Sequence, residues 1–552
     1  MPALLTFTSM PGSPYTFKHL FNAVLLVVLF SGCGTKNSDH TIFRFNQVQG
    51  VESLDPAFAK NLNIMWHVQF LYNRLLEFGP DMRPRPSLAK QWSISADRLV
   101  YRFELRTDVY FHDNPLFSRG KGRRLNARDV VYSFKRLTDP GTASPGAWVF
   151  NDRVDTLEPF RALNDSVFEL RLQAPFNPMI GILSMPYCSI VPEEVAEHWG
   201  KDFRSHPCGT GPFVLQDWEE GVAITYRKNG RYWERDSAGR PLPYIDGIKV
   251  TFIDSKATEF LQFLKGELDF MNGIDASFKD QVLSKKGELK AAYRDKIRLW
   301  KNPYLNVEYL GFLLDSARQE QRLLLDRRIR LAINYGFDRG KLVRYLRNGI
   351  GRAANGGIIP DVLPGHDTAY TGGYPYLPEK ARALIAEVQQ EQGGTLPPIT
   401  LLSNDNYSDR CQFIASELRP LGLDIRVEIM QPSLLREQMS NGAASFFWGT
   451  WIADYPDAES YLTMFYGPNA APPNYTRFRD ATFDAWYAAA LHAPDTAAQR
   501  LLYRDMDRRL VEMAPCVPLF YDEVMHFTQQ RVRRWNCNTL NLIDLKTVQI
   551  ED

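Results

Sequence analysis

The stretch that decides the fold reads LNARDVVYSFKRL and occupies residues 125–137. Its apolar residues recur three and four positions apart, as on one face of an α-helix: Val130, Val131, Phe134 and Leu137. Asn126 stands before this stripe as the expected N-cap, and Asp129 falls three residues later, in the first turn. The stretch therefore predicts a helix whose apolar stripe belongs to the core.

Strands are predicted on both sides of this helix. Alternation with a period of two marks four of them, at Leu99, Tyr101, Phe103 and Leu105; at Phe168, Leu170 and Leu172; at Ile248, Val250 and Phe252; and at Ile425, Val427 and Ile429. A second helical stripe, Ala381, Leu384, Ile385 and Val388, follows Pro378, a residue that suits a first helical turn. Interspersed strands and helices predict α/β domains with mixed sheets.

Composition excludes several classes of protein. The chain has 552 residues, and a soluble chain of this length divides into two to four domains. Its net charge is +1, which argues against a nucleic-acid partner, because such proteins carry a basic surplus. Aromatic residues make up 13% of the chain, which suits both a core and a cleft for an organic ligand.

No motif asks for catalysis, a metal or a cofactor. The sequence lacks G-x-S-x-G, H-E-x-x-H and a Walker loop, and its nine histidines show no ligand spacing. Five cysteines follow Cys33 without a C-x-x-C pair, and the sequence leaves any disulfide pairing among them open: Cys188, Cys208, Cys411, Cys516 and Cys537. We therefore expect a protein that is not an enzyme and has no catalytic residue.

The N-terminus predicts export. Lys18 precedes an apolar run of about ten residues, and Ser31 and Gly32 lead directly to Cys33. This pattern resembles a lipoprotein signal, in which residues 1–32 are removed and Cys33 carries the acyl chains. The alternative is a signal without lipid and a chance cysteine.

Several short segments, read in order, carry a family resemblance. In the N-terminal part they are SLDP (53–56), LYNRLL (71–76), PSLAKQW (86–92) and LNARDVVYS (125–133). Further along they are GTGPF (209–213), RLAINYGFDR (330–339), WIADYPD (451–457) and APCVPL (514–519). Together they resemble the solute-binding proteins of peptide ABC importers, the oligopeptide/dipeptide-binding family, over about residues 45 to 535.

The resemblance implies a type II periplasmic-binding-protein-like fold with two lobes joined by a hinge. Three domains with mixed β-sheets are expected. Domain I would be discontinuous and combine residues 41–74, 186–302 and 509–552. Domain II would be one insertion at 75–185. Domain III would be one long segment at 303–508. The two lobes would close on the ligand by domain motion.

The resemblance also implies a ligand site. Asp454 would pair with the α-ammonium of a peptide, and the backbone of Thr450, Trp451 and Ile452 would add one edge for the extended ligand. The opposite edge would come from Lys60, Asn61, Leu62 and Asn63, and side pockets from Trp448, Trp451 and Trp148. The alternative for Asp454 is an ordinary salt bridge or helix cap, and for each tryptophan a place in the core.

Two departures from the family bear on the ligand site, and a disulfide of some relatives is also absent. Trp448 stands where some oligopeptide binders have an arginine for the ligand carboxylate. Gly146 stands where they have a tyrosine, which would widen a pocket or shift that role to Trp148. Asn306 and Ile452 lie near the positions of a disulfide in some relatives, so that bridge is absent.

The leading hypothesis is therefore a monomeric, lipid-anchored receptor outside the cytoplasm that delivers peptides to an ABC permease and its ATPases. A relative specialised for a nickel chelate, haem, an oligosaccharide or an opine is a second hypothesis. An exported enzyme and a peptide-sensing surface lipoprotein without a transport role are the others.

Overall fold

The computed structural model describes residues 41–551 except 80, 368 and 371. The predicted signal at 1–32 and Cys33 lie outside these residues. From Ile42 onward the chain forms one compact unit.

The strands of the described residues are numbered in chain order. They are β1 Ile42–Asn46, β2 Leu76–Phe78, β3 Pro84–Pro86, β4 Ala89–Ile94, β5 Val100–Leu105, β6 Phe160–Asn164, β7 Val167–Arg171, β8 Phe213–Glu219, β9 Ala223–Lys228, β10 Gly247–Thr251, β11 Phe270–Asn272, β12 Ile297–Phe312, β13 Arg352–Ala353, β14 Ile399–Ser403, β15 Ile425–Ile429, β16 Phe446–Ile452, β17 Cys516–Gln529, β18 Val532–Arg533 and β19 Gln549–Ile550.

The α-helices of the same residues are numbered likewise. They are α1 Leu62–Leu71, α2 Ala127–Thr138, α3 Met179–Ile182, α4 Glu193–Trp199, α5 Lys256–Leu264, α6 Ala276–Val282, α7 Ala291–Arg294, α8 Arg327–Tyr335, α9 Arg339–Lys341, α10 Pro378–Gln392, α11 Ser408–Leu418, α12 Pro432–Asn441, α13 Glu459–Leu462, α14 Ala481–Leu491 and α15 Thr496–Met513.

Helix α2 begins as its sequence predicts. The Asn126 side chain accepts a hydrogen bond from the Arg128 N–H at 2.8 Å, and the Asp129 carboxylate accepts one from the Asn126 N–H at 2.8 Å. This reciprocal capping box satisfies donors that the first helical turn cannot pair internally. Helix α10 likewise has Pro378 in its first turn. Both predicted helices are confirmed, and their stripes are buried except for Val131 and Leu384, which are half-buried.

The four predicted strands are also present, as β5, β7, β10 and β15. Only Ile425 of the last alternation is fully buried, because β15 is the outermost strand of its sheet. In β7 the Glu169 carboxylate is buried between two apolar residues, and the guanidinium groups of Arg102 and Arg171 each donate to it at 2.8 Å. Paired cations allow this acidic side chain to lie where the alternation alone would not predict it.

One mixed sheet organises most of the chain. Its strands follow the order β15-β14-β16-β12-β17-β11-β1-β10-β9-β8, and β13 also pairs with β17. The β1–β10 and β14–β15 pairs are parallel, whereas β12 is antiparallel to both β16 and β17. A second, antiparallel sheet has the order β4-β5-β7-β6.

The long strands β12 and β17 connect the two halves of the main sheet. Residues 297–303 of β12 pair with β17 beside β11, and residues 307–311 pair with β17 again, beside β16. The register shifts between Pro303 and Val307. The predicted domain boundary at 302/303 falls within β12, and that at 508/509 falls within α15. The domain division itself remains a prediction.

Apolar clusters fill the space on both sides of the sheets. One joins β1, α1 and β11 through Phe45, Trp66, Phe70 and Phe270, and extends to the four-stranded sheet. Two others pack against the β12–β16 region, around Phe312 and around Tyr461. The core is thus distributed along the main sheet.

We expect Asn126→Ala to lower the free energy of unfolding by about 1 kcal/mol, because it removes the acceptor that caps α2. Urea unfolding followed by circular dichroism measures the change. Arg128→Ala is the matched control, since Arg128 is an exposed residue of the same first turn. Equal effects of the two substitutions would contradict a stabilising role for the cap.

Candidate functional site

Asp454 lies two residues beyond the end of β16. Its backbone N–H donates to the Ser460 hydroxyl at 3.3 Å, and its carboxylate makes no hydrogen bond or ion pair with the described residues. The side chain is accessible to solvent, yet protein surrounds it and raises its pKa from 3.8 to about 6 by desolvation. A carboxylate in such a recess favours a cation partner.

Two tyrosines lie within electrostatic range of this carboxylate. After burial, the negative charge of Asp454 further raises the pKa of Tyr187, to about 12, and it acts in the same direction on Tyr461. Tyr187 belongs to the segment before α4, whereas Asp454 and Tyr461 follow β16. The recess therefore combines segments that are far apart in the sequence.

The backbone leading to Asp454 has an unpaired edge. The Ala453 N–H donates to the Leu305 carbonyl at 2.8 Å, which directs the polar groups of Ala453 toward β12. Backbone groups alternate in direction along a strand, so those of Thr450 and Ile452 point away from β12. On that side β14 pairs with β16 only at Phe447. The edge formed by Thr450 and Ile452 is thus available to an extended ligand.

The predicted tryptophans have different environments. Trp451 is half-buried, and its indole N–H donates to the Ser460 carbonyl at 2.5 Å. Trp448 is only 2% exposed, and its ring stacks on that of Tyr407 with 4.6 Å between the ring centroids, so it lies beneath the protein surface. Trp148 is half-buried, and the Arg153 guanidinium lies 5.7 Å from its ring.

The predicted opposite edge is not an extended strand. Asn61 caps α1 by accepting from the Ile64 N–H at 3.0 Å, and Leu62 and Asn63 form the first helical turn. Lys60 pairs with Glu52 at 2.8 Å. The capping side chain starts a helix where the resemblance implied strand-like pairing. Any backbone contact from Leu62 and Asn63 would come from N–H groups of a helix N-terminus.

Gly146 has a role that the sequence did not reveal. A Cβ atom at this position would lie 2.3 Å from Cδ1 of Tyr187, so the tyrosine ring occupies the space of a side chain. The absence of a tyrosine at 146 is accompanied by a tyrosine from another segment, beside Asp454. The departure at Gly146 was the available signal, but Tyr187 itself carried none.

Sequence reasoning also missed a polar group next to the β16 edge. Glu308 of β12 lies opposite Thr450, and its carboxylate accepts from the Thr450 hydroxyl and the Trp448 indole N–H, both at 2.6 Å. Asp522 of β17 lies nearby, pairs with Arg347 and accepts from Asn306 Nδ2 at 3.1 Å. Nothing in the linear sequence places these strands side by side.

A large cavity of the protein lies away from Asp454. A cavity of about 820 Å³ lies between residues 52–64, the end of α2 and residues 196–204. It is lined in part by Lys60, but not by Asp454, Tyr187 or Tyr461.

Segments that the prediction assigns to domains II and III also contact each other through hydrogen bonds. Asn177 Nδ2 donates to the carbonyls of Ala490 and Ala493, both at 3.2 Å, and the Arg98 guanidinium also donates to Ala493. Ala490 lies in the last turn of α14, and Ala493 lies two residues beyond its end, where few backbone donors are available to carbonyl groups. A cation at a helix C-terminus is also electrostatically favourable.

The cysteines form no disulfide among the described residues, where all five are free. Asn306 and Ile452, near the positions of the bridge known in some relatives, are direct partners in the β12–β16 register. The described part of the chain contains no cluster of His, Cys, Asp or Glu suited to a metal ion.

Residues 83–473 match the model of the bacterial extracellular solute-binding proteins, family 5 Middle. Among curated proteins, Heme-binding protein A of Haemophilus influenzae is 27% identical over 506 residues, covering 88% of each chain. Di/tripeptide-binding protein 2 of Pseudomonas aeruginosa is 26% identical over 527 residues, covering 91% of this chain and 93% of that protein.

Solved structures give the same fold. HbpA2 from Haemophilus parasuis superposes with a TM-score of 0.79 at 24% identity, covering 93% of this chain and 100% of that one. The periplasmic binding protein DppA from Helicobacter pylori, solved with the peptide STSA, has a TM-score of 0.74 at 22% identity and covers 93% and 99%.

The chain belongs to the bacterial extracellular solute-binding proteins of family 5. It has the type II periplasmic-binding-protein fold and is a binding protein rather than an enzyme. The family assignment and the fold predicted from the sequence are confirmed. Within the described part of the chain, none of the helices has the length and apolarity needed to span a bilayer.

We expect Asp454→Asn to stabilise the ligand-free protein in a pH-dependent manner. The raised pKa of Asp454 means that its contribution to stability is greatest below about pH 3.8 and is lost as the pH rises through about 6. Asparagine pays no such cost of charge burial. The difference in Tm between variant and wild type should therefore grow from pH 4 to pH 7.5.

Thermal unfolding at four pH values across this range measures the difference. Asp165→Asn is the control, because Asp165 is an exposed aspartate away from the site. A Tm difference for Asp454→Asn that stays constant with pH would contradict the desolvated environment.

Proposed function

We propose that this protein is the lipid-anchored receptor of an ABC importer that captures peptides and delivers them to the permease. The ligand lies extended along β16 and its α-ammonium pairs with Asp454. The two lobes close around it, and the monomeric, loaded receptor then docks on the permease, which works with its ATPases.

One observation carries this proposal: an unpaired carboxylate in a desolvating recess lies at the end of an unpaired strand edge. The ammonium of a peptide supplies the missing charge. Its backbone supplies groups for Thr450 and Ile452, whose own polar groups point toward the ligand side. Main-chain pairing gives affinity without reading side chains, so peptides of varied sequence can be accepted.

The recess also determines the direction of the ligand. A charge-assisted hydrogen bond is shorter and stronger than a neutral one, so the ammonium anchors one end. Trp451 and Trp148 then line the pockets for the side chains of the ligand, and Trp448 packs beneath the surface of the site. Asn61, Leu62 and Asn63 contribute from the first turn of α1, and Lys60 leads into that turn.

Names of similar proteins support a peptide ligand and also one alternative. Di/tripeptide-binding protein 2 and the Dipeptide-binding protein of Escherichia coli are 26% and 24% identical to this chain. Heme-binding protein A, at 27% identity, favours haem as the second candidate. Asp454 argues for the peptide, because an ammonium group satisfies its charge directly.

Calorimetry with free and N-acetylated peptides tests the role of Asp454. Losing one partner of a desolvated charge pair costs about 2–5 kcal/mol, which is roughly a thirty-fold to several-thousand-fold loss of affinity. We expect acetylation to cause this loss in the wild type and to have little effect on Asp454→Asn. The four combinations give the coupling between the two groups.

Equal affinity of the wild type for free and acetylated peptides would refute the assignment. Asp165→Asn again serves as the control, and it should respond to acetylation as the wild type does. Haem titrated in the same assay tests the second candidate, which gains support if haem binds and peptides do not.

The anchor is tested at Cys33. Burying acyl chains in a membrane supplies about 0.8 kcal/mol per CH₂, so the lipid holds the protein at the surface. We expect Cys33→Ser to release the protein from the membrane fraction or to block processing. Cys537→Ser, which changes another cysteine, should leave fractionation unchanged. A Cys33→Ser protein with wild-type mass and fractionation would exclude lipidation.

A further inference from the structure

The wall beside the β16 edge contains a closed group of polar side chains. We call Asn306, Glu308, Tyr407, Trp448 and Thr450 the Glu308 cluster. Glu308 is 3% exposed, so a ligand does not reach its carboxylate directly. Thr450 is exposed and Tyr407 is half-buried, so their hydroxyl groups form the accessible side of the cluster.

Two short hydrogen bonds fix the protons of Thr450 and Trp448, and longer contacts surround the other oxygen of Glu308. The Thr450 hydroxyl and the Trp448 indole N–H both donate to Oε2 of Glu308 at 2.6 Å. Asn306 Nδ2 lies 3.3 Å from Oε1, and the Tyr407 hydroxyl lies 3.5 Å from Oε1 and from the Thr450 oxygen. An ionised carboxylate only accepts, so it draws these protons inward.

Burial and the surrounding groups act on the pKa of Glu308 in opposite directions, and the negative charge of Asp522 adds to the effect of burial. Burial raises the pKa of Glu308, whereas the hydrogen bonds from Thr450 and Trp448 oppose that rise. Two neighbouring guanidinium groups have other partners. Arg347 pairs with Asp522 and donates to the Ile350 carbonyl, and Arg410 donates to the Asn406 carbonyl at 2.7 Å.

Thr450 and Tyr407 consequently turn lone pairs, not protons, toward the ligand side. Thr450 is four residues from Asp454, and four residues of extended chain cover at most about 14 Å. A ligand anchored at Asp454 therefore brings one of its next few side chains to Thr450. A carboxylate there would face oxygen acceptors, whereas an amide, amine or guanidinium group would donate to them.

We propose that Glu308, acting as a positioning residue through Thr450 and Tyr407, makes this cleft select ligands that carry a hydrogen-bond donor beyond the ammonium. The preferred substrate class is peptides with an amide-bearing or basic side chain, and peptides with an acidic side chain at that place are rejected. The inference rests on the proposed function and deepens it.

Glutamine and glutamate side chains are nearly equal in shape, so matched peptides isolate the effect. The probes are Ala-Gln-Ala and Ala-Glu-Ala, Ala-Ala-Gln and Ala-Ala-Glu, with Ala-Ala-Ala as reference. In wild type we expect glutamine to be preferred about tenfold or more at one of the two positions, the size of one hydrogen bond to a charge-polarised acceptor.

Variants separate positioning from mere packing. Glu308→Gln keeps a carbonyl oxygen at the Oε2 position, where the Trp448 indole N–H must donate, and places its NH₂ group at the Oε1 position beside the Tyr407 hydroxyl. The Tyr407 proton can then turn outward, and the glutamine-to-glutamate ratio should fall toward one. Thr450→Val should lower the ratio, and Thr450→Ser, which keeps the hydroxyl, should preserve it. The glutamine-to-glutamate ratio within one variant is unaffected by a general loss of affinity. Because Thr450 is exposed, Thr450→Val and Thr450→Ser remain informative if Glu308→Gln folds poorly.

The outcomes distinguish the two claims. If the protein binds Ala-Ala-Ala, and binds the glutamine and glutamate peptides with equal affinity, the selection is overturned and the proposed function is left intact. An unchanged ratio in both Glu308→Gln and Thr450→Val overturns the role of the cluster. Binding of no peptide at all overturns the proposed function and this inference with it.

Discussion

The pairing of β12 with β17 is the constraint on which the rest of this structure depends. Both strands run through the two halves of the main sheet, and their register shifts between Pro303 and Val307, with a further irregularity between Glu308 and Tyr309. Before the shift they pair next to β11, and after it β12 pairs with β16. The position of β16, and hence of Asp454 beyond its end, follows from this ladder.

The same ladder creates the unpaired edge. Strand β16 continues past its single contact with β14 while β12 accompanies it to Ile452. Its backbone is satisfied on one side only, which would be a liability on an exposed surface. In the function that we propose, this edge beside Asp454 is the surface that binds the ligand. Stability and function thus draw on the same hydrogen-bond pattern.

Two carboxylates around this site have different environments: Asp454 is accessible to solvent, whereas Glu308 is buried. Asp454 is desolvated without a partner, so its charge favours an incoming cation. Glu308, in contrast, is buried with its partners in place, and it orders Trp448 and Thr450 behind the edge. In our proposal, the carboxylate without a protein partner binds the ligand, whereas the paired one orients its neighbours. The two residues are both acidic, but their surroundings give them different tasks.

Local patterns were sufficient for much of the fold. Asn126 and Asp129 define the start of α2 by contacts within four residues, and the alternation around Phe103 defines β5 in the same local way. Ordered motifs also led to the correct family. They did not reveal that Asn61 caps a helix, and the ligand contacts expected of this segment remain a prediction.

The sequence by itself determined the capped helices, the buried strand faces, the family and the candidate role of Asp454, since each depends on residue type and short-range spacing. Only the tertiary structure decided that Tyr187 fills the space over Gly146 and that Glu308 lies opposite Thr450. These pairs are separated by 41 and 142 residues. Strand register and packing across the core bring them together, and neither leaves a periodic signal in the chain.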